Sequence, residues 1–284
     1  MSASVFLIVI AAALLHATWN AAVKGSADKT LGMTAVMVGQ AMPAIPFLFL
    51  FALPSAESLP YFAAGLVFHM GYQIFLMKAY KVGDFTQVYP IARGTGPLIV
   101  TLVSILFLGV ELLPIELLSI GLIILGISSL VFFKQADGLR NPKAAGLALL
   151  TGCCIAGYSL SDGLGARLSG SAVGFMSALM FMNGILFAIY IRIMEPGTLT
   201  RVVEVGKFRV LGGGIASFLA YLMVVWAFTQ APIALVTALR ETSIIFAAMI
   251  GVFVFKEYLN TAKILAITLS LCGVVVLRFG AQLF

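Results

Sequence analysis

Long apolar stretches alternate with short polar ones along nearly the whole chain. The apolar stretches fall at about 3–24, 30–53, 59–80, 85–108, 114–133, 143–166, 170–192, 208–229, 231–254 and 260–279, with charged residues, Pro or Gly at their margins. Each is about twenty residues long, which at about 1.5 Å per residue crosses the roughly 30 Å hydrocarbon core of a bilayer. Lipid offers no hydrogen-bond partners, so backbone groups there must be satisfied within a helix or a closed barrel. The runs are too long and too uniformly apolar for barrel strands. The expected fold class is therefore all-α integral membrane, with ten transmembrane helices. The first run contains Ala11-Ala12-Ala13, which resembles a signal-peptide cleavage site. No basic segment precedes it and the helical pattern continues to Lys24, so it reads as a retained span.

Composition agrees. Hydrophobic residues make up 62% of the chain, charged residues 10%, and the mean hydropathy is +1.12. Soluble domains hold about 45–50% apolar and about 25% charged residues. The net charge of +6 does not form a nucleic-acid-binding face, because the Lys and Arg sit in short connectors between apolar runs. Cys153, Cys154 and Cys272 lie inside apolar runs, with no disulfide or metal spacing. No phosphate-cradling Gly-rich loop, His-Glu-x-x-His helix or nucleophile elbow is present, so the sequence predicts neither an enzyme nor a cofactor.

The chain also repeats. Ala79-Tyr80, Pro90-Ile91-Ala92-Arg93, Glu111 and Gly126 recur in the same order as Ala227-Phe228, Pro232-Ile233-Ala234, Arg240, Glu257 and Gly273. Residues 1–134 then form a first five-helix repeat, 135–142 a cytoplasmic linker and 143–284 a second repeat. An odd number of crossings per repeat forces the halves to enter the membrane in opposite directions. Such inverted repeats enclose a central cavity near the midplane in many transporters. Assigning connectors alternately to two sides puts nearly all Lys and Arg on one side, among them Lys78, Lys81, Lys134, Arg140, Lys143 and Arg201. Only Arg167 and Arg278 fall on the other. The basic side is read as cytoplasmic and both termini as periplasmic, in an inner membrane.

With these features the chain resembles the drug/metabolite transporter superfamily, specifically its EamA-type ten-helix members. The resemblance rests on the two five-helix halves, on Ala79, Gly83, Pro90-Ile91, Arg93, Pro97 and Glu111, on Ala227, Ala231-Pro232, Arg240 and Glu257, and on Trp19-Asn20. It implies export or import of amino acids and other small metabolites. The members that best match an aromatic-lined cavity are exporters of aromatic and neutral amino acids. Two departures stand out: Ile244 lies near the position matching Pro97, and the first helix has no acidic residue. The small multidrug transporters of the superfamily carry a glutamate there, so their proton-coupled mechanism does not transfer.

Several helices place polar or aromatic groups on one face at i, i+3, i+4 spacing. These are His16, Trp19 and Asn20; His69, Tyr72 and Gln73; Tyr89 and Arg93; Thr237, Arg240 and Glu241; and Tyr158 with Ser161 and Asp162. A charge at membrane depth costs at least about 2.5–3.5 kcal/mol and marks a cavity or a partner. Arg93 and Arg240 are expected to bind a substrate carboxylate, and His16, Asn20 and Gln73 to supply hydrogen bonds. Trp19, Tyr72, Tyr89, Tyr158 and Trp226 would pack a side chain or an ammonium group. Glu241 is a candidate carrier of a coupling proton. The competing structural readings are that Arg240-Glu241 neutralise each other, that Arg93 packs on carbonyls, and that Asp162 and Arg167 form an ion pair near the outer surface. That last pair is also the one weak basis for an alternative, an intramembrane enzyme acting on lipid-like substrates; a passive channel is another. Pro43, Pro46, Pro90 and Pro97 are expected to bend their helices. The expected partners are a small-molecule substrate and the lipid bilayer, with no nucleic acid.

Overall fold

A computed structural model describes residues 1–24, 28–83, 85–132, 141–205, 207–254, 256 and 261–280. The expected residues Lys134, Arg140 and Glu257 and linker positions 135–140 lie outside the described residues. Each apolar run becomes helix. The elements are α1 (Ala3–Lys24), α2 (Lys29–Gly39), α3 (Ala41–Leu50), α4 (Leu59–Val82), α5 (Phe85–Leu106), α6 (Pro114–Phe132) and α7 (Pro142–Leu168). They continue as α8 (Ala172–Met194), α9 (Thr198–Val205), α10 (Lys207–Gln230), α11 (Ile233–Arg240), α12 (Ser243–Phe253) and α13 (Thr261–Phe279). Among the described residues, eight helical stretches are long and apolar enough to span a membrane, and α6 and α13 carry the shorter apolar stretches Pro114–Ser129 and Ile264–Phe279. Large apolar side chains such as Phe49 and Phe107 are 85% and 78% exposed. A water-facing surface would not carry them at this density, whereas lipid solvates them.

Two of the expected spans are broken, and for different reasons. The second divides into α2 and α3 at Gln40. Pro43 has no N–H to offer the Gly39 carbonyl four residues earlier, and Pro46 removes the next partner. The ninth divides into α11 and α12 at Glu241-Thr242, where no Pro or Gly stands. There the backbone passes through a tighter turn, in which Glu241 N–H bonds to Ala238 and Thr242 N–H to Leu239, three residues back. In contrast, α5 runs on through Pro90 and Pro97 as one helix. The short helix α9 was not expected from the hydrophobic pattern.

Packing follows the repeat. The pairs α4·α7 and α1·α10 are equivalent if α1 exchanges with α7 and α4 with α10. The same exchange relates α5·α7 to α1·α11 and α1·α12, and leaves α3·α8 and α6·α13 unchanged. The α6·α13 crossing is symmetric in detail. A side chain at Gly126 would meet Ser270 and the Ala266 carbonyl, and one at Gly273 would meet Ile123 and the Ser119 carbonyl, all under 3 Å. Helices in lipid gain little from burying apolar surface against each other, so close backbone approach at small residues holds them together.

Contacts between connectors sort them into two ends. At one end Asp28 pairs with Arg201 at 3.1 Å, Lys81 with Glu195 at 2.5 Å, and Asn141 donates to the Val82 carbonyl. At the other, Ser55 donates to the Leu168 carbonyl and Arg167 to the carbonyls of Phe228 and Ala231. This is the alternation that ten crossings require. Asp28 also caps α2, accepting from the Leu31 N–H at 3.0 Å. That bond, with help from Arg201, holds its carboxyl below the usual range. Asp28→Ala should cost about 1 kcal/mol at neutral pH. A lowered folded-state value means this stability is present above the ordinary carboxylate value of about 3.9 and is lost as pH falls below it. Denaturation curves of the two proteins should therefore converge in acid.

Candidate substrate cavity

The two halves meet around a small cavity. From the first half it is lined by His16 and Trp19 of α1, Met37 and Gln40 at the α2–α3 break, and His69, Tyr72 and Gln73 of α4. From the second come Tyr158 of α7, Met180 of α8, Ser217 and Tyr221 of α10, and Arg240 of α11. Its free volume is about 50 Å³. Ligand pockets usually measure about 300–1,000 Å³. A cavity of this size must widen to admit a metabolite.

The lining is aromatic and layered. His69 stacks on Tyr158 with ring centroids 4.3 Å apart and planes 12° from parallel, while Tyr72 and Tyr221 meet Tyr158 edge-on. His16 meets Trp19 edge-on at 5.0 Å. Gln73 Nε2 donates to Met37 Sδ, and Ser217 donates to Gln40 Oε1. Each contact joins a residue near the α2–α3 break to another wall of the cavity.

Behind this layer sits a charge cluster that crosses the halves. Arg93 Nε of α5 lies 2.7 Å from Glu241 Oε2, and Arg93 also donates to Ser243. The 2.7 Å approach is a charge contact rather than an aligned hydrogen bond, since the Nε–H does not point along it. Arg240 lies farther from the carboxylate, with 3.9 Å to Glu241 Oε1. The expected Arg240–Glu241 pair is thus present at its long limit, and the carboxylate is shared with Arg93 of the other half, which makes the closer contact. The alternative in which Arg93 packs on carbonyls is corrected by the same contact. Arg240 retains only partial partners. Its Nε has no hydrogen bond, its terminal nitrogen reaches the Tyr158 hydroxyl at 3.5 Å, and its guanidinium lies about 6 Å from the rings of Tyr158 and Tyr221. It is 2% exposed, and it lines the cavity.

A second polar cluster adjoins Arg240 through Tyr158 and Tyr221. Asp162 is fully buried, and one of its oxygens meets His69 Nε2 at 2.8 Å and the Tyr221 hydroxyl at 2.6 Å. The expected surface pair of Asp162 with Arg167 does not form: Arg167 instead caps the last carbonyls of α10. Five residues further along α7, it points into another layer. The one residue pair proposed for lipid chemistry thus disappears. Asp162 fits against α4 because Gly65 has no Cβ, since one there would collide with Asp162 Oδ1. Gly65→Ala should displace the carboxylate from His69 and lower stability by about 1–3 kcal/mol in a detergent unfolding titration.

Of the residues singled out from sequence, His16, Trp19, His69, Tyr72, Gln73, Tyr158 and Arg240 line the cavity. The others do not. Asn20 donates to the His16 carbonyl on its own helix. Tyr89 lies 6.0 Å from the Arg93 guanidinium, and Arg93 and Glu241 stand behind the wall. Trp226 packs on the apolar core, and Thr237 is buried among apolar neighbours. Sequence reasoning missed Ser217 with Tyr221 and Met37 with Gln40, although their i, i+4 and i, i+3 spacings carried the same stripe signal. Among the described residues no group of three or more His, Cys, Asp or Glu could hold a metal.

Residues 143–279 match the model of the EamA-like transporter family. That domain belongs to the drug/metabolite transporter superfamily. A solved crystal structure of another protein superposes with a TM-score of 0.79 over 99% of both chains at 19% identity. At that identity the likeness is one of fold. No curated protein gives a significant match. The EamA-type chain is thus a multi-pass membrane transporter of small molecules. The family match covers the second half alone, the half that contributes Tyr158, Tyr221 and Arg240.

Proposed function

We propose that this EamA-type transporter is a secondary exporter of neutral and aromatic amino acids. In this reading the halves, residues 1–134 and 143–284, rock about the cavity in alternating access across an inner membrane, with the basic connectors cytoplasmic and both termini outside. One observation carries the substrate class: a buried, incompletely partnered Arg240 guanidinium in the wall of an aromatic cavity. A buried cation of that kind recruits an anion, and a planar guanidinium fits a carboxylate in bidentate fashion. The rings of Trp19, Tyr72, Tyr158 and Tyr221 would receive the apolar or ammonium part. The breaks at Gln40 and at Glu241-Thr242 adjoin the cavity, which supports hinge motion there. Purified protein in liposomes preloaded with unlabelled L-phenylalanine or L-leucine should accumulate the labelled amino acid with saturable kinetics. Flux that rises linearly with concentration would indicate a channel, and absence of counterflow for every amino acid tried would overturn the substrate class.

A further inference from the structure

Two carboxyl groups at depth have different surroundings. Glu241 faces two guanidinium groups, so taking a proton would strand two buried cations. Asp162 faces no guanidinium within ion-pair distance among the described residues; its partners are an imidazole and a phenol.

We infer that His69 and Asp162, with Tyr221, form the proton-binding site through which transport is coupled to a pH gradient. The pair joins α4 of the first half to α7 of the second, so the rocking that changes access must also act on it. With Asp162 as a carboxylate, its one bonded oxygen accepts from His69 Nε2–H and from the Tyr221 hydroxyl. The neutral imidazole then keeps its lone pair on Nδ1. That nitrogen takes one proton from cavity water, giving an imidazolium held against the Asp162 carboxylate, and returns the proton to water when the opposite side opens. No other bond changes. A carboxylate holding one ring nitrogen so that the other can act is a recurrent use of this pair.

The groups facing His69 from its neighbours account for the coupling. From α7 come Asp162 and Tyr158, from α10 Tyr221, from α11 Arg240, and from α1 His16 across the cavity; α4 itself adds Tyr72, and α8 presents apolar Leu179 and Met180. Beyond them lies the Arg93–Glu241 pair, which cancels itself. Among the described residues Arg240 is the cation near His69 that lacks a close carboxylate contact, and both touch Tyr158. Neutralising Arg240 with a substrate carboxylate therefore changes the cost of holding a proton on His69, and by reciprocity the proton changes substrate affinity. The cargo rests on the function proposed above; the proton site does not.

Two measurements separate these. In liposomes, accumulation of labelled L-phenylalanine by the wild type should shift about tenfold per pH unit of imposed gradient, the equivalent of one proton per cycle. Asp162→Asn should keep gradient-free counterflow and lose that dependence. The second measurement needs no substrate. The chain has two histidines, so His16→Asn leaves His69 as the sole imidazole signal in nitrogen-labelled protein. That signal should convert from neutral imidazole to imidazolium as the pH is lowered, and adding Asp162→Asn should alter that conversion. A His69 that keeps one protonation state throughout, or a gradient response that survives in Asp162→Asn, overturns the proton site. Wild type with no amino-acid counterflow but a titrating His69 overturns the cargo alone.

Discussion

Glu241→Gln should lower the stability of the protein by about 3–5 kcal/mol, the largest loss expected from any single substitution around the cavity or behind its wall. The carboxylate is 2% exposed and is the ionic partner of Arg93, which is itself buried. Removing it leaves two guanidinium groups, on α5 and α11, close together in a low-dielectric layer with no counter-ion. The amide replaces the shape but not the charge. For a chain of this size the change corresponds to a drop in melting temperature on the order of 10 °C. The control is the double substitution Arg93→Gln with Glu241→Gln, which removes a cation together with its anion and should recover most of the loss. A double variant as unstable as the single one would mean that the contact across the halves is not what holds them.

Arg240→Ala should instead spare the fold and stop transport. Arg240 contributes little bonding to the resting protein: its Nε is unpartnered and its nearest carboxylate oxygen, at 3.9 Å, belongs to a group already engaged by Arg93. Losing a buried charged contact to a substrate carboxylate costs about 2–5 kcal/mol, a weakening of roughly thirtyfold or more. Arg240→Lys should recover only part, because an ammonium keeps the charge without the planar fork. The two positions are adjacent in sequence, yet the expected phenotypes are opposite, with the stability effect at Glu241 and the flux effect at Arg240. Saturable amino-acid flux in Arg240→Ala at wild-type affinity would show that the carboxylate binds elsewhere.

Helix placement is legible in the amino-acid sequence because it depends on local quantities: the length of apolar runs, Pro and Gly at their ends, and the order of residues in a repeat. The break at Gln40 is local too, since Pro43 and Pro46 take away donors from their own helix. The break at Glu241-Thr242 is not, because nothing in those two residues forbids a helix; it coincides with the carboxylate reaching across to Arg93 on α5. Partner choice among charges was likewise out of reach. Asp162 and Arg167 stand five residues apart on one helix, yet one turns to His69 and Tyr221 and the other to carbonyls of α10. Periodicity names the stripe a side chain occupies but not the helix that faces it. Which helix that is depends on close approaches at Gly65, Gly126 and Gly273, where the absence of a Cβ lets two distant segments meet. Local energetics thus wrote the spans and their number, while the pairing of charges and the size of the cavity came from contacts between residues far apart in the chain.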